Sequence, residues 1–229
     1  MMDSHTSKPD GGAVIRVVIA DDQPLVRTGL STVLNRSGDI TVVAEVCDGN
    51  EARQAAHRHR PDVILMDIRM PVLDGIAATR HIAADLPEVR IIVLTTFDSD
   101  EHIFDAIAAG AAGFLVKSTT PDELRAAVRT VAAGDGLLSP SVTTRVLSRI
   151  ATQSCSGKPA ISNERLADVT QRERDVLSGV ARGLSNQEIA AELYLSPATV
   201  RTYVSRLTTK LDARSRAELV VIAYENQLR

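Results

Sequence analysis

Five short apolar runs, each followed by a stretch of helical periodicity, restrict the fold of this chain more than any other feature. They are "VIRVVIA" (14–20), "ITVVAEV" (40–46), "DVILM" (62–66), "RIIVLT" (90–95) and "GFLVK" (113–117). The clearest helix follows Pro121, where Leu124, Ala127, Val128 and Val131 repeat at i, i+3, i+4 and i+7. Thr120 and Glu123 are spaced as its capping box. Strands alternating with helices predict an α/β unit, a doubly wound five-stranded parallel sheet with helices on both faces. Only "ITVVAEV" alternates visibly, with Ile40, Val42, Ala44 and Val46 on one side and Thr41 and Glu45 on the other. That pattern suits an edge strand, as the second strand is in the order 2-1-3-4-5.

The pattern changes after "AAGDG" (132–136). Ser139 and Pro140 can start a short helix with Val142, Val146, Leu147 and Ile150 on one face. Residues 151–163, rich in small and polar side chains, read as a flexible linker. From Thr170 onward the chain reads as helical, with capping-box spacings at Thr170/Glu173, Ser185/Glu188 and Ser215/Glu218 and a Ser196-Pro197 start. Four helices in about sixty residues make a compact all-α unit, and a chain of 229 residues is long enough for two domains. The expected division is a disordered 1–13, a first domain over 14–133, a linker with a short helix over 134–164, and a helical domain over 165–229. The polar amino terminus lacks the apolar core of a secretory signal. No apolar run approaches the ~18 to 20 residues of a membrane span. Cys47 and Cys155 fit no metal or redox spacing and read as incidental thiols in a reducing compartment. A cytoplasmic protein without membrane contact is expected.

The formal net charge of −3 averages two unlike halves. Residues 1–136 carry 13 Lys+Arg against 20 Asp+Glu, and residues 137–229 carry 13 against 9. Within 197–216 five basic residues (Arg201, Arg206, Lys210, Arg214, Arg216) accompany a single acid, Asp212. An acidic front half and a locally basic back half point to two different partners.

In open parallel sheets ligands bind at the carboxyl ends of the strands. Here those ends carry Asp21-Asp22, Asp67, Thr95-Thr96 and Lys117. Any one of them alone reads as a turn, cap or surface residue; together they place three acids, hydroxyls and an ammonium on one edge. Three carboxylates in one pocket repel unless a hard cation holds them, and Mg²⁺ suits an oxygen set that works with phosphate. An aspartate beside such a cation and a lysine is a known type of phosphoryl acceptor.

"ADDQPLVRTGL", "VILMDIRMPVLDGI", "IIVLTTF" and "AGAAGFLVKS" resemble the receiver domain of two-component response regulators, over about residues 14–133. The resemblance implies a flavodoxin-like fold in which Asp67 accepts a phosphoryl group from a histidine kinase. It implies that Asp22 and Asp67 bind Mg²⁺, with Asp21 supporting and the Arg69 backbone carbonyl completing the protein ligands. Lys117 and Thr95 are then the phosphoryl contacts, and Phe114 occupies the aromatic switch position, turning inward on phosphorylation. Ser118 departs from the proline that many receivers carry after the lysine.

In "SNQEIAAELYLSPATVRTYVSRLTTKL" (185–211) a helix, a short turn and a second helix follow one another. At ~100° per residue, Val204, Leu207 and Leu211 fall within about 40° of Val200 and form a buried stripe. Arg201, Thr202, Ser205 and Thr209 lie opposite, with Arg206 at the border. A face of short polar side chains flanked by arginines suits the major groove of double-stranded DNA, although an isolated basic helix is as often a solvated surface. "VTQRERDVLSGVARGLSNQEIAAELYLSPATVRTYVSRLTTKLDARSRAELVVIAY" resembles a LuxR-type helix-turn-helix domain, over about residues 165–228. By that resemblance Thr199 and Lys210 join the DNA-binding set. The last helix then pairs subunits of a homodimer, with Arg214, Leu219, Ile222 and Ala223 as candidates. Tyr203 stands where a histidine is common, and either packs or reaches a phosphate.

The whole chain is similar to the NarL/FixJ-like subgroup of response regulators, which implies a phosphorylation-controlled transcription regulator and not an enzyme. Two other readings stand beside it. One is an atypical receiver that regulates transcription without phosphorylation. The other is an aspartyl-nucleophile phosphohydrolase of the haloacid dehalogenase type, against which Arg69 counts, because such enzymes carry a second acid two residues after the nucleophile.

Overall fold

The computed structural model describes residues 14–95, 105–134, 137–138, 168–226 and 228. The expected amino-terminal tail, the short helix after Ser139 and the linker over 151–163 lie outside the described residues, as does Thr96.

The first part of the chain runs β1 (Ile15–Ala20), α1 (Pro24–Asn35), β2 (Ile40–Val46), α2 (Gly49–His59), β3 (Val63–Asp67), α3 (Gly75–Asp85) and β4 (Arg90–Thr95). Residues 105–108 are helical. Then come β5 (Gly113–Val116), α4 (Pro121–Ala132) and β6 (Leu137–Leu138). All strand pairs are parallel, in the order β2-β1-β3-β4-β5-β6. β3 lies inside the sheet and all five of its residues are buried. Its apolar residues alternate between two cores, as the period of a strand requires. Ile64 and Met66 join Val18, Ala20, Ile91 and Val93 beneath α2 and α3. Val63 and Leu65 join Val17, Ile19, Ile92 and Leu94 beneath α1 and α4.

Two details depart from the sequence reading. β2 is an edge strand, but its apolar residues do not share one face. The pairing slips between Val17↔Val42 and Val18↔Ala44, so Val43 is an inserted residue. Ile40 and Val42 pack under α1 while Val43, Ala44 and Val46 pack under α2, because one extra residue flips every later side chain to the other face. The second departure is the sixth strand: Leu137 and Leu138, expected in a linker, pair with Gly113 and Phe114 and extend the sheet.

The second part contains α5 (Gln171–Ala181), α6 (Asn186–Leu193), α7 (Pro197–Lys210) and α8 (Arg216–Glu225) around Val176, Leu177, Val180, Ile189, Val200 and Leu207. The Thr170/Glu173 and Ser185/Glu188 boxes form as the spacing predicts. At α8 the Ser215 hydroxyl accepts from the Glu218 amide, whereas the Glu218 carboxylate takes the Arg214 amide at 2.7 Å instead of returning to Ser215. α8 is covered on two sides. Leu219, Ile222 and Ala223 belong to the helical core, while Ala217 lies in the cluster that contains Phe114, with Val221 and Tyr224 packed against it. Among the described residues no helix is long and apolar enough to cross a membrane.

Candidate functional site

β1, β3, β4 and β5 end side by side, and their last residues make the floor of a small pocket. It is lined by Asp22, Asp67, Arg69, Thr95 and Lys117 among others. Carboxylate oxygens of Asp21, Asp22 and Asp67 lie within 4.8 Å of one another, with Asp21 and Asp67 buried and Asp22 exposed. The Lys117 ammonium is 2.7 Å from Asp21 Oδ2 and 3.0 Å from Asp67 Oδ2. One cation thus answers two buried anions and leaves Asp22 to face solvent. Burial pushes the Asp67 carboxyl above its usual pKa against the pull of Lys117, and the Asp21 charge adds to the rise. Burial also works to lower the Lys117 pKa, but the bonds to Asp21 and Asp67 outweigh it and raise it. A set of three carboxylates against one ammonium has the oxygen-donor chemistry that a hard divalent cation takes.

Local structure holds these groups. The Gln23 amide donates to Asp21 Oδ1 at 2.9 Å and Arg27 Nη1 donates to the Asp21 carbonyl at 2.6 Å, which turns the chain so that Pro24 starts α1. Behind Asp67, the Gly75 amide donates to the Ile68 carbonyl at 2.9 Å. A Cβ at Gly75 would lie 1.9 Å from the Asp67 carbonyl oxygen. Neither Arg27 nor Gly75 stands out as a site residue in the sequence; the "DG" at 74–75 is the only cue, since glycine permits close backbone approach.

Phe114, the expected switch residue, is fully buried and packed with Ala106, Ile107 and Ala111, so the ring is seen in its inward position.

In the helical domain, α6 and α7 form the helix-turn-helix, joined through residues 194–196. Val200, Val204, Leu207 and Leu211 are buried, and Arg201, Thr202, Ser205, Arg206 and Thr209 are exposed. Tyr203 is partly buried and packed against the helical core. The Thr199 hydroxyl lies 2.8 Å from the Ser196 hydroxyl at the start of α7. Lys210 is corrected: its ammonium donates to the buried Glu173 carboxylate at 2.8 Å and to the Asp168 carbonyl at 3.1 Å, so it ties α7 to α5 and is not a free phosphate contact. The expected pairing surface is corrected as well. Leu219, Ile222 and Ala223 are core residues, and Arg214 Nη1 donates to the Ala108 carbonyl at 2.6 Å. Arg201, Ser205 and Thr209 face a cleft between the two domains.

The Glu173–Lys210 pair makes a prediction. Burial works to raise the Glu173 pKa, but the hydrogen bonds from Lys210 and Thr170 win and lower it. A lowered carboxyl pKa stabilises above the unfolded value near 4.5 and stops doing so as the pH falls through the folded value. Lys210→Met should cost about 2 kcal/mol at pH 7, below the ~3–5 kcal/mol of a fully buried pair because Lys210 is more than a third exposed. Thermal melts should show the gap to wild type narrowing as the pH is taken below 4.5.

Comparison with known proteins gives the class. Residues 17–129 match the response regulator receiver domain and residues 167–223 match the bacterial regulatory proteins of the luxR family. The chain belongs to the two-component response regulators that control transcription, in the NarL/FixJ-like group. It is 42% identical over 213 residues to the uncharacterized transcriptional regulatory protein YxjL of Bacillus subtilis, covering 93% of this chain and 96% of that one. It is 37% identical to the oxygen regulatory protein NreC of Staphylococcus epidermidis, covering 93% and 99%. Among solved structures, the response regulator ChrA of a heme-sensing two-component system is 34% identical, with a TM-score of 0.53 and coverage of 95% and 100%.

Proposed function

We propose that Asp67 accepts a phosphoryl group from a histidine kinase and that its occupancy controls DNA binding by α7 in a cytoplasmic transcription regulator. The observation that carries this reading is the cluster of Asp21, Asp22 and Asp67 with Lys117 bridging two of them. Asp22 and Asp67, supported by Asp21 and the Arg69 carbonyl, would hold a Mg²⁺ ion. When bound, that ion neutralises charge on the incoming phosphoryl oxygens. Asp67 supplies the nucleophilic oxygen, while Lys117 and Thr95 turn from their present partners to the new phosphoryl group. The chain acts on itself and turns over no separate substrate.

Coupling to the second domain runs through residues 105–111. Ala106, Ile107 and Ala111 pack in one cluster with Phe114 and Ala217 of α8, and Ala108 receives the Arg214 bond. Pulling Thr95 toward a phosphoryl group shifts this segment, breaks that bond and uncovers Ala217, Val221 and Tyr224. These three residues, in place of Leu219, Ile222 and Ala223, then form the face on which two subunits pair. Release also frees Arg201, Ser205 and Thr209 from the cleft, so that with Thr199 and the already exposed Thr202 and Arg206 they reach two half-sites about one turn of DNA, ~34 Å, apart. A coupling of ~1–3 kcal/mol is sufficient.

Mapping of bound DNA across the genome with wild type and Asp67→Asn, alongside labelling by acetyl phosphate, tests the reading. Wild type should take label and occupy specific sites; Asp67→Asn should take none and lose most occupancy. Equal labelling and occupancy in both would end it.

A further inference from the structure

The face of α7 opposite its buried stripe is short in side chain and rich in methyl groups. At ~100° per residue, Ala198, Thr202, Ser205 and Thr209 lie within about 40° of the direction opposite Val200, and each of them is exposed. At ~1.5 Å per residue they span ~16 Å of helix, the length of about five base-pair steps. Side chains this short let a helix about 10–12 Å across seat deep in a major groove about 12 Å wide.

The threonine hydroxyls on this face are committed within the helix. Thr202 Oγ1 donates to the Ala198 carbonyl at 3.0 Å, and Thr209 Oγ1 donates to the Ser205 carbonyl at 3.2 Å. Each bond closes on the residue four positions earlier, the way a threonine inside a helix satisfies its own donor. Threonine carries two branches on Cβ. Once the hydroxyl hydrogen is spent inside the helix, the methyl is the branch left to meet a base edge.

Composition narrows the readout further. In the major groove adenine is taken by amide side chains, cytosine by carboxylates, guanine by cations, and thymine by apolar contact with its methyl group. The sequence of α7 contains no Asn, Gln, Asp or Glu. Its lysine, Lys210, is bound to Glu173. Arg206 is exposed at the border of the face, where it serves a phosphate or a guanine. Ser205 brings a hydroxyl but no methyl. The centre of the face is therefore left to Ala198, Thr202 and Thr209, and the chemistry by which these discriminate is apolar contact.

We propose that α7 selects thymine, through contacts of the Ala198, Thr202 and Thr209 methyl groups with thymine methyls in the major groove, so that A·T pairs recur in each half-site. The proposal rests on the reading of α7 as the DNA-binding helix and adds the base that it selects. Uracil differs from thymine by that methyl alone, so exchanging the two isolates the contact.

The test selects duplexes from a random pool with the full-length chain treated with acetyl phosphate and Mg²⁺, then compares a selected duplex made with thymine and with uracil. A·T pairs should recur in the half-sites. Burial of one methyl is worth roughly a factor of four, so uracil throughout the half-sites should weaken binding by about tenfold or more, and uracil confined to the flanks should not weaken it. T202S/T209S, which removes two methyls and keeps both hydroxyls, should bind the thymine and uracil duplexes within about fivefold of each other, the difference left by Ala198. T202V/T209V, which keeps the methyls and removes the hydroxyls, should restore the discrimination. Circular dichroism confirms that both variants fold. Equal affinity of wild type for thymine and uracil half-sites, or undiminished discrimination by T202S/T209S, overturns the proposal and leaves α7 as a DNA-binding helix of another selectivity. Recovery of no duplex at all would remove the DNA-binding reading itself, and the proposal with it.

Discussion

Asp22→Ala is expected to abolish the rise in melting temperature that Mg²⁺ gives the receiver and to block labelling by acetyl phosphate, while leaving the metal-free protein slightly more stable than wild type. Both signs follow from one charge count. Asp21, Asp22 and Asp67 present three carboxylates within 4.8 Å of one another, and Lys117 spans only Asp21 and Asp67. Without a metal, Asp22 adds repulsion to a site whose Asp67 carboxyl is already held above its usual range, chiefly by burial and further by the Asp21 charge. Removing an exposed carboxylate relieves that repulsion and opens no cavity, so a gain of about 0.5–1 kcal/mol is the natural scale. With a metal the sign reverses. A ligand at ~100 times its dissociation constant stabilises the fold that binds it by ~2.7 kcal/mol, and a site deprived of its solvent-facing carboxylate forfeits most of that. Melts with and without MgCl₂ read both effects on one preparation. An undiminished magnesium shift in the variant would remove Asp22 from the ligand set. Basal DNA affinity, which depends on α7, should not change.

How much of this was legible in the residues depends on what each feature rests upon. Strand ends were readable because apolar runs stop where charge begins. β2 and β4 have the expected bounds, and β3 is displaced by one residue so that Asp67 closes the strand. The acid pocket was legible for the same reason, since parallel strands deliver their ends to one edge whatever lies between them. The bulge at Val43 was not legible: inserting one residue leaves "ITVVAEV" looking like a plain alternation, and only the partner strand reveals the slip. Lys210 shows a second limit. On a helical wheel it borders the polar face, but its long flexible stem carries the charge to Glu173 on another helix. Leu219, Ile222 and Ala223 show a third, because an apolar helix reads alike whether it faces its own core, another domain or a second subunit. α8 meets two of these at once, and periodicity cannot apportion its faces among them. Phe114 belongs with these cases, since its identity marks the switch position but its rotamer is set by packing around residues 105–111.

Gly75→Ala should be among the most damaging single-methyl changes available to the receiver, lowering its stability by about 3 kcal/mol and slowing phosphorylation of Asp67. The cost is one of space. A Cβ there would stand 1.9 Å from the Asp67 carbonyl oxygen and 2.9 Å from its carbon, with Met66 Cγ at 3.1 Å. Backbone cannot rotate aside as the end of a side chain can. Either the start of α3 must lift away, losing the bond from the Gly75 amide to the Ile68 carbonyl, or β3 must bend at its last residue. Both movements displace Asp67 relative to Lys117, whose ammonium is 3.0 Å away. Gly29→Ala supplies the contrast. Gly29 lies in the middle of α1 with nothing within 4 Å of an added Cβ, so alanine there should stabilise by about 0.5–1 kcal/mol through helix propensity alone. Urea midpoints of the two variants should therefore move in opposite directions from wild type, and acetyl phosphate labelling should fall only in Gly75→Ala. If the two alanines cost the same, close approach of α3 to the phosphoacceptor strand is not what glycine at 75 provides. If Gly75→Ala loses stability yet is phosphorylated at the wild-type rate, β3 has held its place and α3 alone has yielded, which would separate the folding role of this contact from its part in positioning Asp67.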